Sequence, residues 1–175
     1  MKKIYFVIIL TIISAISYSQ CSIATDNSGR YDFVYRNEIY RIYSNEDLEN
    51  GYISISVSFV IQKSLIEDSK TKYLLEIFSG YGSGKKAPSP RTLVLNRSKR
   101  MESINLLPIP NPRNEIIQMG VFEISKDELD WFIKSTITNI EISDNVDGGK
   151  LSINVNPRIF NNLANCVKNA AYPSQ

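Results

Sequence analysis

The strongest pattern in the chain lies over residues 52–62, where Ile53, Ile55, Val57, Phe59 and Ile61 alternate with Ser54, Ser56, Ser58, Val60 and Gln62. A period of two places one set on the buried face of a β-strand and the other on its wetter face. Upstream, Tyr31, Phe33 and Tyr35 alternate with Asp32, Val34 and Arg36, and a second aromatic-rich strand follows over 39–43 after a turn at Arg36-Asn37-Glu38. Ser44 predicts a cap on a single helical turn over Glu46, Asp47 and Leu48, which Gly51 ends. Residues 72–80 are apolar on both faces through Leu74, Leu75, Ile77 and Phe78, which suits a central strand. A loop is expected over 79–90, from its glycines and prolines, then a hairpin of 92–96 and 99–106 around Arg97-Ser98. Pro108, Pro110 and Pro112 cannot donate to a ladder, so that stretch is an edge or an extended loop, and 115–124 is a further strand.

The period then changes. Ser125-Lys126-Asp127-Glu128 has the form of a capping box and opens a short helix near 125–134, with Leu129, Phe132 and Ile133 on one face. Strands over 136–143 and 150–155 flank a turn at Asp147-Gly148-Gly149. Pro157 predicts the first turn of a C-terminal helix near 157–171, with Ile159, Phe160, Leu163, Ala164 and Val167 as its buried stripe. The expectation is a mainly β, α+β protein: an antiparallel β-sandwich or curved sheet of about seven strands, with these two helices packed on it. Alternating βα units are absent, which disfavours a parallel α/β fold.

One apolar run fits neither period. Met1, Lys2 and Lys3 precede residues 4–13, which are apolar except for Thr11, and residues 14–19 are small and polar around Ile16 and Tyr18. The run is too short to span a bilayer, which takes about 20 apolar residues. It resembles a bacterial secretory signal, with Ser17 and Ser19 as the small residues before a cut at Gln20. The domain reading is therefore a signal peptide over 1–19, a polar arm over 20–30 and one β-rich globular domain over 31–175. Cys21 admits a rival reading as a lipidated N-terminus, although Gln20 and Tyr18 are poor neighbours for that processing.

Export changes the meaning of charge and cysteine. The 20 Lys and Arg against 18 Asp and Glu give +2, and Lys2 and Lys3 leave with the leader, so the mature chain is formally neutral. Neutrality gives no general attraction to nucleic acid or to anionic lipid. The two cysteines, Cys21 and Cys166, enter a compartment that permits disulfides. A bridge between them would close nearly the whole chain, worth about 5 kcal/mol in the chain-entropy model. The alternative is a buried Cys166 and a loose thiol at Cys21.

Candidate chemistry is sparse. The chain has no histidine, which removes Ser-His-Asp and Cys-His nucleophile systems and most zinc sites. The glycine stretch from Ser79 to Lys86 departs from a phosphate loop at both Ser79 and Lys86. Asp144 and Asp147 flank a turn without the spacing of a calcium loop. No cofactor is implied. Lys85, Lys86, Arg91, Arg97, Lys99 and Arg100 form a basic neighbourhood that would suit an anionic glycan, a lipid headgroup or an acidic protein face, or is simply a solvated hairpin end. These readings favour a non-catalytic macromolecule-binding domain of the cell envelope, periplasmic or secreted, in the manner of an immunity protein or inhibitor. Its partner would be an envelope protein or a glycan, not nucleic acid. The rival readings are a histidine-free, carboxylate-dependent hydrolase of envelope polysaccharide and a structural or adhesive surface component.

Overall fold

The computed structural model describes residues 23–26, 33–47, 51–64, 71–82, 86–96, 98–109, 116–144 and 149–173. The leader, Cys21, Tyr31, Lys85 and Arg97 lie outside these residues. The described chain is mainly β, with strands β1 (Ile23–Asp26), β2 (Phe33–Asn37), β3 (Tyr40–Asp47), β4 (Gly51–Lys63), β5 (Lys72–Gly82), β6 (Thr92–Leu95), β7 (Lys99–Glu102), β8 (Asn105–Ile109) and β9 (Ile116–Ile124). Helix α1 (Lys126–Lys134), strands β10 (Asn139–Ser143) and β11 (Lys150–Asn154), and helix α2 (Ile159–Ala171) complete it. All pairings are antiparallel, as the sequence pattern led us to expect. The strands form a seven-stranded sheet in the order β1-β2-β4-β5-β9-β8, with β3 also on β4, and a four-stranded sheet in the order β11-β10-β6-β7.

The alternation over 52–62 sets the core. Ile55, Val57, Phe59 and Ile61 point inward, with Leu75, Ile77, Phe122 and Ile124 from the neighbouring strands. The small sheet supplies Leu93, Leu95, Met101, Ile140, Ile142 and Ile153, and the helices supply Leu129, Phe132, Phe160, Ala164 and Val167. Phe59, Phe132 and Phe160 pack ring against ring at 5.1–6.3 Å and tie β4 to both helices. Phe132, fully buried, is the anchor of α1, while its neighbour Trp131 lies at the margin. The capping box at Ser125 forms as predicted, with reciprocal bonds between Ser125 and Glu128.

Four local expectations are corrected. No helical turn forms at Ser44, because β3 runs on to Asp47 and pairs with the first half of β4; a single helical turn gains little against a ladder of that length. The expected turn at Arg36-Asn37-Glu38 is instead a fault in one extended run, β2 and β3 both lying along β4. Between the pairs Arg36↔Val60 and Tyr40↔Val57 three residues oppose two, as in a β-bulge. The buried Asn37 side chain repairs the ladder there, accepting from the Phe59 amide at 2.7 Å and donating to the Glu38 carbonyl at 2.6 Å.

The expected loop from Ser79 begins later, since β5 continues through Gly80 and Gly82 opposite Ser54 and Tyr52. A Cβ on Gly80 would sit 2.8 Å from Ser54 Oγ, so a small residue lets the strands keep that spacing. These two glycines are strand residues. Lastly, α2 begins at Ile159, after a turn in which Asn156 Oδ1 accepts from the Arg158 amide at 3.0 Å. Pro157 belongs to that turn and not to the helix.

Candidate functional site

The expected strand over 99–106 is two strands in different sheets. β7 pairs with β6 in the small sheet and β8 pairs with β9 in the large one. Consecutive amides mark the step: Ser103 donates to the Arg91 carbonyl at 2.8 Å, and Ile104 donates to the Val121 carbonyl at 2.7 Å. The sequence holds a signal for this step. Met101 is buried, and the next apolar residue, Ile104, comes three positions later, so the period-two phase slips.

The corner leaves a groove of about 400 Å³ lined by Arg91, Glu102, Ser103, Ile104, Asn105 and Leu106. Ile104 in its lining is 60% exposed, and Leu107, on the opposite face of β8 beside Met119, is 43% exposed. Behind it, the segment 87–90 is buried and crosses the inner face of the large sheet. Ser89 donates there to the Gln118 side-chain carbonyl. Gly120 makes the crossing fit, because a Cβ at that position would lie 2.1 Å from the Pro90 carbonyl oxygen.

The basic neighbourhood is placed around this corner but not as one patch. Arg91 Nε lies 3.4 Å from Asp144, whose carboxylate is buried. That explains Asp144 without a cation. Lys99 sits inward against α1, 3.0 Å from Glu128 and 4.6 Å above the Trp131 ring. Arg100 faces the other side of the hairpin and pairs with Glu102 at 2.7 Å. Thr92 donates to the second oxygen of Glu102 at 2.8 Å; this bond, with Arg100 beside it, holds the Glu102 carboxyl below its ordinary range. Arg91 and Lys99 stand at opposite ends of the hairpin, about 13 Å apart at ~3.3 Å per residue. Lys86 is exposed. Lys85 and Arg97 lie outside the described residues, so their share of the neighbourhood is not placed.

A second charged feature was not singled out in the sequence. Glu76 stands on the outer face of β5, opposite Ser58 and Val121. It is 3% exposed and accepts from Arg36 at 2.9 Å. Burial pushes its carboxyl above the ordinary value, and Arg36 opposes that only in part. An acidic residue within an otherwise apolar central run was the available signal. Val60, Leu74 and Val121 surround it, with Val34 and Met119 at the margin. Sealed from water, it is placed to hold β2 to β5 across β4, not to meet a large substrate.

Among the described residues no group of three or more Cys, Asp or Glu side chains is placed to hold a metal ion, and no helix is long and apolar enough to cross a membrane. No protein-family model, no curated protein and no solved structure matches this chain.

Proposed function

We propose that this chain is an exported, non-catalytic binding domain, and that it docks a macromolecular partner at the corner between β7 and β8. The observation that carries the reading is the groove there, with the exposed apolar side chain of Ile104 in its lining and the exposed Leu107 on the other face of the same edge strand. Apolar side chains beside a groove with a polar floor are the usual material of a docking surface. Arg91, Arg100 and Glu102 around it are already paired within the chain, so they orient a partner more than they attract one.

In this reading residues 1–19 are removed on export and the protein works in the periplasm or outside the cell. Cys21 stands two residues before β1, β1 pairs with β2, and α2, which carries Cys166, packs on β2 and β4. A bridge between Cys21 and Cys166 then ties the first strand to the last helix, as export permits. Two measurements test the proposal. Mass analysis of the exported protein is expected to give Gln20 as its first residue; a diacylglyceryl group on Cys21 overturns that part. Affinity capture from the cell envelope is expected to retain a partner with the wild type and lose it with Ile104→Asp. Equal capture by both would remove the corner from the function.

A further inference from the structure

Among the described residues β8 ends the seven-stranded sheet, and its open edge carries few hydrogen-bonding groups. Pro108 has no amide to give β9, so its nitrogen faces the open edge. Strand alternation then turns the main-chain groups of Leu106 the same way, while those of Asn105, Leu107 and Ile109 face β9. The Ile104 amide is used internally, on Val121. The edge therefore offers one donor, the Leu106 N–H, and two acceptors, the carbonyls of Leu106 and Pro108.

That set is self-complementary about a two-fold axis at Leu106. Each Leu106 N–H meets the Leu106 carbonyl of a second copy, and every available donor is used. In the same pairing Ile104 lies beside the second copy's Pro108, and Asn105 beside the second copy's Leu107. The exposed Ile104 and Leu107 side chains thereby gain close neighbours. Charge agrees: Arg91 is matched by Asp144 and Arg100 by Glu102 within each chain, so the axis brings no unmatched like charges together. Pro108 also stops the pairing from running further, since no donor follows it within β8.

We infer that the occupant of this corner is a second copy of the chain, docked β8 on β8 in antiparallel fashion to join two seven-stranded sheets. The inference rests on the corner being a docking surface and names what docks. A contact of one short edge is smaller than the roughly 800 Å² per partner of a standard stable interface, so the dimer forms reversibly at micromolar concentrations and above.

Sedimentation equilibrium of the exported protein is expected to show a mass rising from one chain to two across the micromolar to millimolar range. Ile104→Asp and Leu107→Asp, both at exposed positions, are expected to stay single chains with unchanged urea unfolding. Cysteines introduced together as Asn105→Cys and Leu107→Cys are expected to cross-link two copies. Such non-hydrogen-bonded neighbours have Cα atoms about 4.5 Å apart, within disulfide reach. Asn105→Cys alone lies diagonal to its copy and is expected to cross-link far less. A single-chain mass throughout, or equal cross-linking by the single and double variants, overturns the inference. If the protein stays single while Ile104→Asp still loses envelope capture, a different partner docks there and only the self-pairing falls. If neither effect appears, the corner is not a docking surface at all.

Discussion

Replacing Gly120 with alanine tests whether the groove depends on how the segment 87–90 crosses the large sheet. The new Cβ would lie 2.1 Å from the Pro90 carbonyl oxygen and 2.9 Å from Pro90 Cβ. A carbon–oxygen contact settles at about 3.3 Å or more, so the main chain at Pro90 must retreat by roughly 1 Å. The segment has no free room to do so. Ala87 is fully buried, Ser89 is bonded to Gln118, and Arg91 is fixed through its carbonyl to Ser103. Overpacking of this kind costs about 1–3 kcal/mol, and a strained or lost hydrogen bond adds about 1 kcal/mol. Alanine also stiffens the unfolded chain, which returns about 0.4–1 kcal/mol. The net expectation is a loss of about 2 kcal/mol, a sizeable share of the roughly 5–15 kcal/mol that holds a domain together. In urea, with a slope near ~2 kcal/mol per molar, the midpoint should fall by roughly 1 M with the slope unchanged. Because Arg91 follows Pro90 directly, the same variant should weaken docking at the corner before it unfolds. A midpoint within about 0.3 M of the wild type would refute the account of this crossing, since the clash is with main chain and cannot be relieved by a rotamer.

Three other outcomes follow from the same contacts. Asn37→Ala leaves the buried Phe59 amide without its acceptor and should cost about 1–3 kcal/mol, read as a lower urea midpoint and faster hydrogen exchange at Phe59. Glu76→Gln tests the buried carboxyl. Its folded pKa is raised above the ordinary 4.5, so the wild type should gain stability from this group as pH falls from neutral, and that gain is lost as pH rises through the folded value. Glutamine mimics the protonated form, so the variant should be favoured over the wild type more at neutral pH than near pH 4.5; thermal melts with a constant difference across that range would refute the shift. Ser125→Ala removes the acceptor for the Glu128 amide and should cost about 1 kcal/mol, seen as a lower thermal midpoint.

Much of the fold was legible because it follows from local periodicity. The alternation over 52–62 names the inward set of β4, the capping box places α1, and the apolar stripe from Phe160 to Val167 places the buried face of α2. The misreadings share a cause. Ser44 and Gly51 carry helix signals worth little on their own, and the partner strand outweighs them. The glycines at 80 and 82 look like a loop until the side chains of Ser54 and Tyr52 are seen to occupy the space that a Cβ would take. The candidate site was harder. The basic residues are adjacent in sequence, but alternation sends Lys99 toward α1 and Arg100 to the opposite face, where each finds its own acid.

By itself, then, the sequence determined the periods: where the long strands and the two helices lie, to within their ends, and which side of each is apolar. Periodicity is a local property, set by the pleat and by the helical turn, and it survives without knowledge of any partner. Which strands lie together was decided only in three dimensions. The step from Ser103 to Ile104 sends one run of sequence into two sheets, and it does so because two successive amides find carbonyls at Arg91 and Val121, far apart along the chain. The groove, its exposed isoleucine and the open edge at Leu106 all come from that step. The phase slip at Ile104 and the proline at 108 mark a break and an edge, but which distant strands end beside one another there is not written in the spacing of residues along the chain.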